Sequence, residues 1–268
     1  MSRYDDMFSR LDSKNEKAFV PFTVIGDPSL EASVPIIQAL VDGGADALEL
    51  GIPFSDPVAD GPTIQAAGVR ALESGATPPG CMAVIRRIRD ANPDIPIGLL
   101  VYANLVAGRG MDSFYESCRD AGVDSVLVAD LPAYEAEPFV AAAEKNGICP
   151  VFIAPPNASE KTYARIASLT RGYTYVVARA GVTGCDDEVS VSHQSIFGIL
   201  RANGAPPTML GFGISTPDHA RIGLAAGADG VISGSAVVSR VEKGAADLEA
   251  LVDELETFVS RMKAATRS

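Results

Sequence analysis

Three carboxylates, Glu49, Asp56 and Asp60, lie close together in the stretch from Ala45 to Pro62, ADALELGIPFSDPVADGP. Glu49 sits in a short apolar run with alternating side chains and no helical period, framed by Gly43-Gly44 before it and by Gly51, Pro53 and Pro57 after it. That run reads as a buried strand with Leu48, Leu50 and Ile52 on one face and Ala47 and Glu49 on the other. An acid facing away from water is seldom kept without a partner or a purpose. No basic residue is near it in sequence, so the chemistry it suggests is proton transfer. Asp60, just before Gly61-Pro62, reads either as a second carboxylate of that site or as a turn or helix cap.

A different signal lies in the second half of the chain. Gly181-Val182-Thr183-Gly184, Gly211-Phe212-Gly213 and Gly234-Ser235 each follow an apolar run, and a short helix is expected to begin at about Ala236. Glycine-rich turns aimed by a helix N-terminus form a cradle for phosphate. The residues that are missing narrow the reaction. All six lysines, Lys14, Lys17, Lys145, Lys161, Lys243 and Lys263, fall on expected helices or their flanks, which leaves none at a strand end for a Schiff base. The two histidines, His193 and His219, have no partners at metal-ligand spacing. Carbon–carbon cleavage here would therefore run on carboxylates alone, on a substrate that carries its own electron sink.

The elements that must hold these groups alternate along the whole chain. A helix from Tyr4 to Leu11 precedes strands starting at Phe19, Ala45, Ile95, Ser125, Cys149, Tyr173, Thr208 and Gly230, and each strand is followed by a helix. Asp27-Pro28, Thr77-Pro78, Asn157-x-x-Glu160 and Ser215-Thr216-Pro217 read as helix starts. Eight near-continuous apolar strands with helical crossovers predict a (β/α)8 TIM barrel over residues 1–268, a single domain with an extra N-terminal helix. The rival doubly wound sheet is poorly supported, because Gly211-Phe212-Gly213-Ile214-Ser215-Thr216 lacks the third glycine of a dinucleotide fingerprint. In a barrel the site gathers at the C-terminal strand ends. Strand parity places Phe22, Glu49, Leu100, Tyr102, Leu127, Ala129, Ile153, Tyr175 and Phe212 at or near that mouth, a mostly apolar lining suited to a flat hydrophobic molecule.

The 268 residues are 47% hydrophobic and 21% charged, with a net charge of −12 spread along the chain. That balance argues against nucleic acid and anionic membrane as partners. No apolar run is long enough to span a bilayer and the N-terminus lacks a signal-peptide core, so a cytoplasmic protein is expected. The four cysteines show no Cys-x-x-Cys spacing and read as small buried hydrophobes.

Taken together, LELGIPFSDPVADGPTIQ (Leu48 to Gln65), PIGLLVYAN (Pro96 to Asn104), GVDSVLVADLP (Gly122 to Pro132), GVTG, GFGIS and ISGSA (Ile232 to Ala236) occur in an order that closely resembles the tryptophan synthase α-subunit family. The resemblance implies cleavage of indole-3-glycerol phosphate to indole and glyceraldehyde 3-phosphate. It makes Glu49 the proton-transfer residue at indole C3 and Asp60 the acceptor of the indole N–H. Phe22, Leu100, Leu127 and Tyr175 match the indole pocket, Gly184, Gly213, Gly234 and Ser235 match the phosphate cradle, and Ile232 is counted among the substrate-binding residues. It further implies an α2β2 heterotetramer, in which a pyridoxal-phosphate β subunit receives indole while this chain carries no cofactor. Loops bearing Asp56 and Thr183 would close over the site. A stand-alone indole-releasing lyase and a non-catalytic phosphate-sugar-binding barrel are the alternatives.

Overall fold

A computed structural model describes residues 2–108, 110–177 and 193–267. Nine parallel strand segments form one sheet: β1 (Ala18–Val24), β2 (Leu48–Gly51), β3 (Ile97–Val101), β4 (Ser125–Val128), β5 (Cys149–Val151), β6 (Ile153–Ala154), β7 (Thr174–Val177), β8 (Thr208–Gly211) and β9 (Gly230–Ser233). Their order is β5-β4-β3-β2-β1-β9-β8-β7-β6. The ends of this series, β5 and β6, are consecutive in the chain and separated only by Phe152. One strand thus pairs first with β4 and then with β7, and the Phe152 carbonyl accepts from the Tyr175 N–H at 3.1 Å across the seam. The eight-stranded barrel is present, with its fifth strand broken where it changes neighbours.

The first six helices are α1 (Arg3–Ser13), α2 (Leu30–Asp42), α3 (Pro62–Glu73), α4 (Pro78–Ala91), the single turn α5 (Ala103–Ala107) and α6 (Met111–Ala121). They are followed by α7 (Glu137–Lys145), α8 (Glu160–Leu169), α9 (His193–Ala202), α10 (Pro217–Ala225), α11 (Ser235–Gly244) and α12 (Leu248–Ala264). Strand alternation divides the core in two. Leu48, Leu50, Leu99, Val126 and Val176 face outward to the helices, whereas Val20, Phe22, Leu127, Val151, Tyr175, Met209 and Ile232 fill the barrel interior. Among the described residues no helix is long and apolar enough to cross a membrane.

Three local expectations differ from the fold. Helix α2 is capped by Ser29, whose hydroxyl accepts from the Ala32 N–H, and does not start at Asp27. The buried Asp27 carboxylate instead takes two hydrogen bonds from Arg70 of α3, at 2.9 and 2.8 Å. Likewise α8 is capped by Ser159 and not by Asn157. The third strand, expected to start at Ile95, begins at Ile97, and after Val101 the chain turns into α5, where the Ala103 N–H donates to Asp130 at 2.7 Å.

The N-terminal end of the barrel is sealed. Helix α1, fastened by a capping box between Ser2 and Asp5, buries Tyr4, Met7 and Leu11 beneath the interior. The Tyr4 hydroxyl shares a 2.8 Å hydrogen bond with Ser125, and its ring lies 5.4 Å from that of Tyr173. On the same rim the buried Lys263 ammonium of α12 pairs with Asp46 at 2.9 Å and Glu16 at 3.1 Å, and donates to the Lys17 carbonyl at 3.0 Å. Asp46 also accepts from the Phe19 N–H at 2.9 Å. Removing one partner strands a buried charge. Lys263→Met is therefore expected to cost roughly 3 kcal/mol, read as a lower urea midpoint with unchanged slope.

Candidate active site

Glu49 lies in β2 in register between Phe22 of β1 and Gly98 of β3. Its side chain faces the interior and it is 1% exposed. Among the described residues it has no ion-pair partner; Oε1 accepts one hydrogen bond, from the Tyr173 hydroxyl at 2.8 Å. Burial disfavours the carboxylate and pushes the Glu49 pKa up to about 7. The Tyr173 hydrogen bond pulls it back, and the Asp60 charge adds to the rise.

Asp60 ends the loop between β2 and α3. Its N–H donates to the Pro57 carbonyl at 3.1 Å, its carbonyl accepts from Gln65 at 2.7 Å, and Gly61 and Pro62 start α3 directly after it. Burial raises its pKa to about 6, against a hydrogen bond from Tyr102 that favours the charged form. Two carboxyl groups titrating near neutrality thus face one space.

That space is an open cleft bordered by Phe22, Glu49, Asp60, Ile64, Leu100, Tyr175, Phe212, Gly213, Ile214, Ser215, Ile232, Gly234, Ser235 and Ala236. Its walls come from the C-terminal ends of β1, β2, β3, β7, β8 and β9. Tyr175 and Phe212 meet edge to face at 6.2 Å. Gly211 permits this packing, since a Cβ there would overlap the Tyr175 ring. Phe212 itself is held in the left-handed region at φ 71°, a sparsely populated state for a bulky residue. Helix α11 runs ten residues from Ser235, longer than the short helix expected, and no side chain caps it at Gly234. The Val237 and Val238 N–H groups donate to the Gly234 carbonyl, so those of Ser235 and Ala236 are the ones that precede the first intrahelical bond, and Gly234, Ser235 and Ala236 line the cleft beside Gly213. The arrangement offers an anion site at the edge of an apolar, aromatic slot.

Of the residues singled out from sequence, Phe22, Glu49, Asp60, Leu100, Tyr175, Phe212, Gly213, Ile232, Gly234 and Ser235 border this one cleft. Tyr102 does not; it lines a smaller adjoining cavity with Phe54 and Pro57, behind Asp60. Leu127 is packed in the barrel interior, and Ala129 and Ile153 lie partly buried against it, none of the three on the cleft wall. Thr183 and Gly184 fall outside the described residues. Sequence reasoning passed over Ile64, Ile214, Ser215, Ala236 and, above all, Tyr173. Tyr173 has the strand parity of Tyr175, two residues on, and that parity was the available signal. Among the described residues no group of histidine, cysteine and acidic side chains could hold a metal ion.

The barrel and its cleft define a class: a TIM-barrel protein whose C-terminal mouth combines two near-neutral carboxyl groups with an uncapped helix N-terminus. Within that class the chain belongs to the tryptophan synthase alpha chain family, whose sequence model matches residues 8–267. It is 54% identical to the tryptophan synthase alpha chain of Shewanella amazonensis over 266 residues, covering 99% of this chain and 100% of the other. Among solved structures, tryptophan synthase subunit alpha from Legionella pneumophila superposes with a TM-score of 0.88 at 30% identity, over 99% of this chain and 98% of that one. A structure of the tryptophan synthase α2β2 complex from Pyrococcus furiosus matches with a TM-score of 0.85 at 32% identity, over 93% of this chain and 99% of that chain.

A carboxyl group whose pKa is raised on folding holds extra protons in the native state, so its contribution to stability is lost as pH rises from its unfolded value toward the folded one. For Glu49 that window runs from 4.5 to about 7. Glu49→Gln is neutral at every pH. Its stability relative to the parent protein is expected to improve between pH 5 and pH 8, by about 2–3 kcal/mol in paired urea titrations.

Proposed function

We infer that this chain is the α subunit of a tryptophan synthase, cleaving indole-3-glycerol phosphate to indole and glyceraldehyde 3-phosphate with Glu49 and Asp60 as its acid–base pair. The observation that carries this reading is the placing of a carboxyl group titrating near pH 7, a second carboxylate and an open helix N-terminus around one cleft. Protonated Glu49 gives its proton to indole C3, which leaves a positive charge spread to the ring nitrogen. Asp60, ionised, accepts the ring N–H and stabilises that charge. The carboxylate left on Glu49 then takes the proton of the glycerol hydroxyl next to the ring. The carbon–carbon bond breaks, its electron pair returns to the ring, and an aldehyde is released. Phe22, Leu100, Tyr175, Phe212 and Ile232 hold the indole, while Gly213, Gly234 and Ser235 hold the phosphate by backbone N–H groups and a hydroxyl. Thr183 and Gly184 belong to the same proposal.

The family relationship supports a β-subunit partner, where pyridoxal phosphate supplies the chemistry that consumes indole. A cytoplasmic setting follows from the biosynthetic role.

Two outcomes are expected. Glu49→Gln lowers indole release on the order of 10³-fold, while glycerol 3-phosphate still binds within about twofold of the parent protein; full activity in the variant would remove Glu49 from the mechanism. The parent kcat/KM traces a narrow bell, rising through about pH 6 as Asp60 ionises and falling above about pH 7 as Glu49 loses its proton. Addition of a β subunit to the same assay distinguishes a complex from a stand-alone lyase, which would ignore it.

A further inference from the structure

The loop that delivers Asp60 has little of its own to hold it. Ser55, Asp56 and Val58 are exposed, and its internal hydrogen bonds are short-range: Val58 N–H to Asp56 O at 2.9 Å and Asp60 N–H to Pro57 O at 3.1 Å. Tyr102, directly after β3, is 2% exposed and is the residue from which α5 departs. Its ring stacks on Phe54 at the start of the loop, with centroids 5.2 Å apart and planes 22° from parallel. Its hydroxyl accepts the Ala59 N–H at 3.2 Å, one residue before Asp60, which leaves its own proton to donate toward the Asp60 carboxylate on the wall of the same cavity. One hydroxyl has the donor and the acceptor for both contacts. The backbone that anchors Tyr102 is itself fixed, through the Ala103 N–H to Asp130.

We propose that Tyr102 is a positioning residue of the reaction, clamping both ends of the loop and orienting the Asp60 carboxylate toward the cleft. This moves Tyr102 from the substrate's wall, where strand parity put it, to a place behind the acid that meets the ring nitrogen. The proposal rests on the reading that Asp60 acts on the substrate. A carboxylate fixed by a phenol donor keeps one oxygen occupied and presents the other, and the donor stabilises the charged form needed to accept an N–H. Among the described residues, the groups with charge or a titrating proton that face Asp60 are Glu49 of β2, Tyr175 of β7 and Tyr102 itself, with Asp130 facing Tyr102 from beyond β4. None of these is a cation, so the phenol is the element among them that favours the ionised acid.

Tyr102→Phe keeps the ring and removes the hydroxyl. It is expected to lower kcat about tenfold and to leave the inhibition constant of glycerol 3-phosphate within twofold. It should also move the acid limb of the kcat/KM profile upward by about 0.5 to 1 pH unit, because the lost donation raises the Asp60 pKa further. Titration of the Asp60 carboxyl carbon by NMR, in the parent protein and the variant, reads the same shift without turnover. Phe54→Leu, which loosens the stack and keeps the hydroxyl, should lower kcat while leaving the acid limb in place. An acid limb and an Asp60 titration both unmoved in Tyr102→Phe would overturn the clamp. Wild-type indole release by Asp60→Asn would instead overturn the role of Asp60, with the NMR titration still deciding whether Tyr102 holds it.

Discussion

The whole molecule is arranged around the cost of keeping a carboxyl group inside a closed apolar barrel with one hydrogen-bond donor. Glu49 cannot recover its hydration from Tyr173 alone, so the balance of burial against that single bond leaves its proton near the point of transfer at neutral pH. A cation beside it would have cancelled this. Among the described residues the interior offers none; it is filled by Phe22, Leu127, Tyr175, Ile232 and their neighbours. Even the adjacent position in register, Gly98, is kept free of a side chain, since a Cβ there would press on Ser125 and the Tyr4 hydroxyl. Acidity in this protein is a property of the barrel more than of the residue.

The two ends of the barrel treat charge in opposite ways. At the N-terminal end every buried charge is matched, Asp46 by Lys263 and Asp124 by Arg89 at 2.6 Å and Arg3 at 2.9 Å. Asp124 also accepts the Ile97 N–H, so a strand edge is tied into the same pair. At the C-terminal end Asp27 is matched by Arg70, but the two acids that face the cleft are left with phenols as their donors, and helix α11 is left uncapped. Matched charge makes one rim rigid, and unmatched groups make the other reactive.

What could be read in the sequence follows the range of the interaction concerned. The alternation of strands and helices, the inward face of Glu49 and the glycine-rich turns at Gly211–Gly213 and Gly234 are local patterns of two to four residues, and they survive in the fold. Asp27 has the local pattern of a helix cap and is diverted by Arg70, 43 residues further on. The break at Phe152 depends on β4 and β7 as neighbours, which no window along the chain can display. Tyr102 shows the limit most clearly. Parity told which way its strand's side chains point, but its stacking on Phe54 and its bond to Ala59 are set by a loop 43 residues earlier. Tyr173 was legible and was missed, because a tyrosine beside an acid becomes significant only once the acid is known to be alone.

A cleft of this kind has to hold its substrate and still release two products. An aromatic ring system buries about 150–250 Å², worth about 4–6 kcal/mol at 25 cal/mol per Å². The phosphate adds about 1–2 kcal/mol from a helix N-terminus. While one molecule spans both sites, the second contact is intramolecular and comes at little entropic cost. Once the carbon–carbon bond is broken the ring and the triose phosphate are held separately, each by its own share. On the proposed reading the weaker of the two contacts is the one at the glycine-lined edge of the cleft beside Ser235. An apolar slot and an uncapped helix thus bind the intact substrate as a pair and lose that advantage at the step they promote.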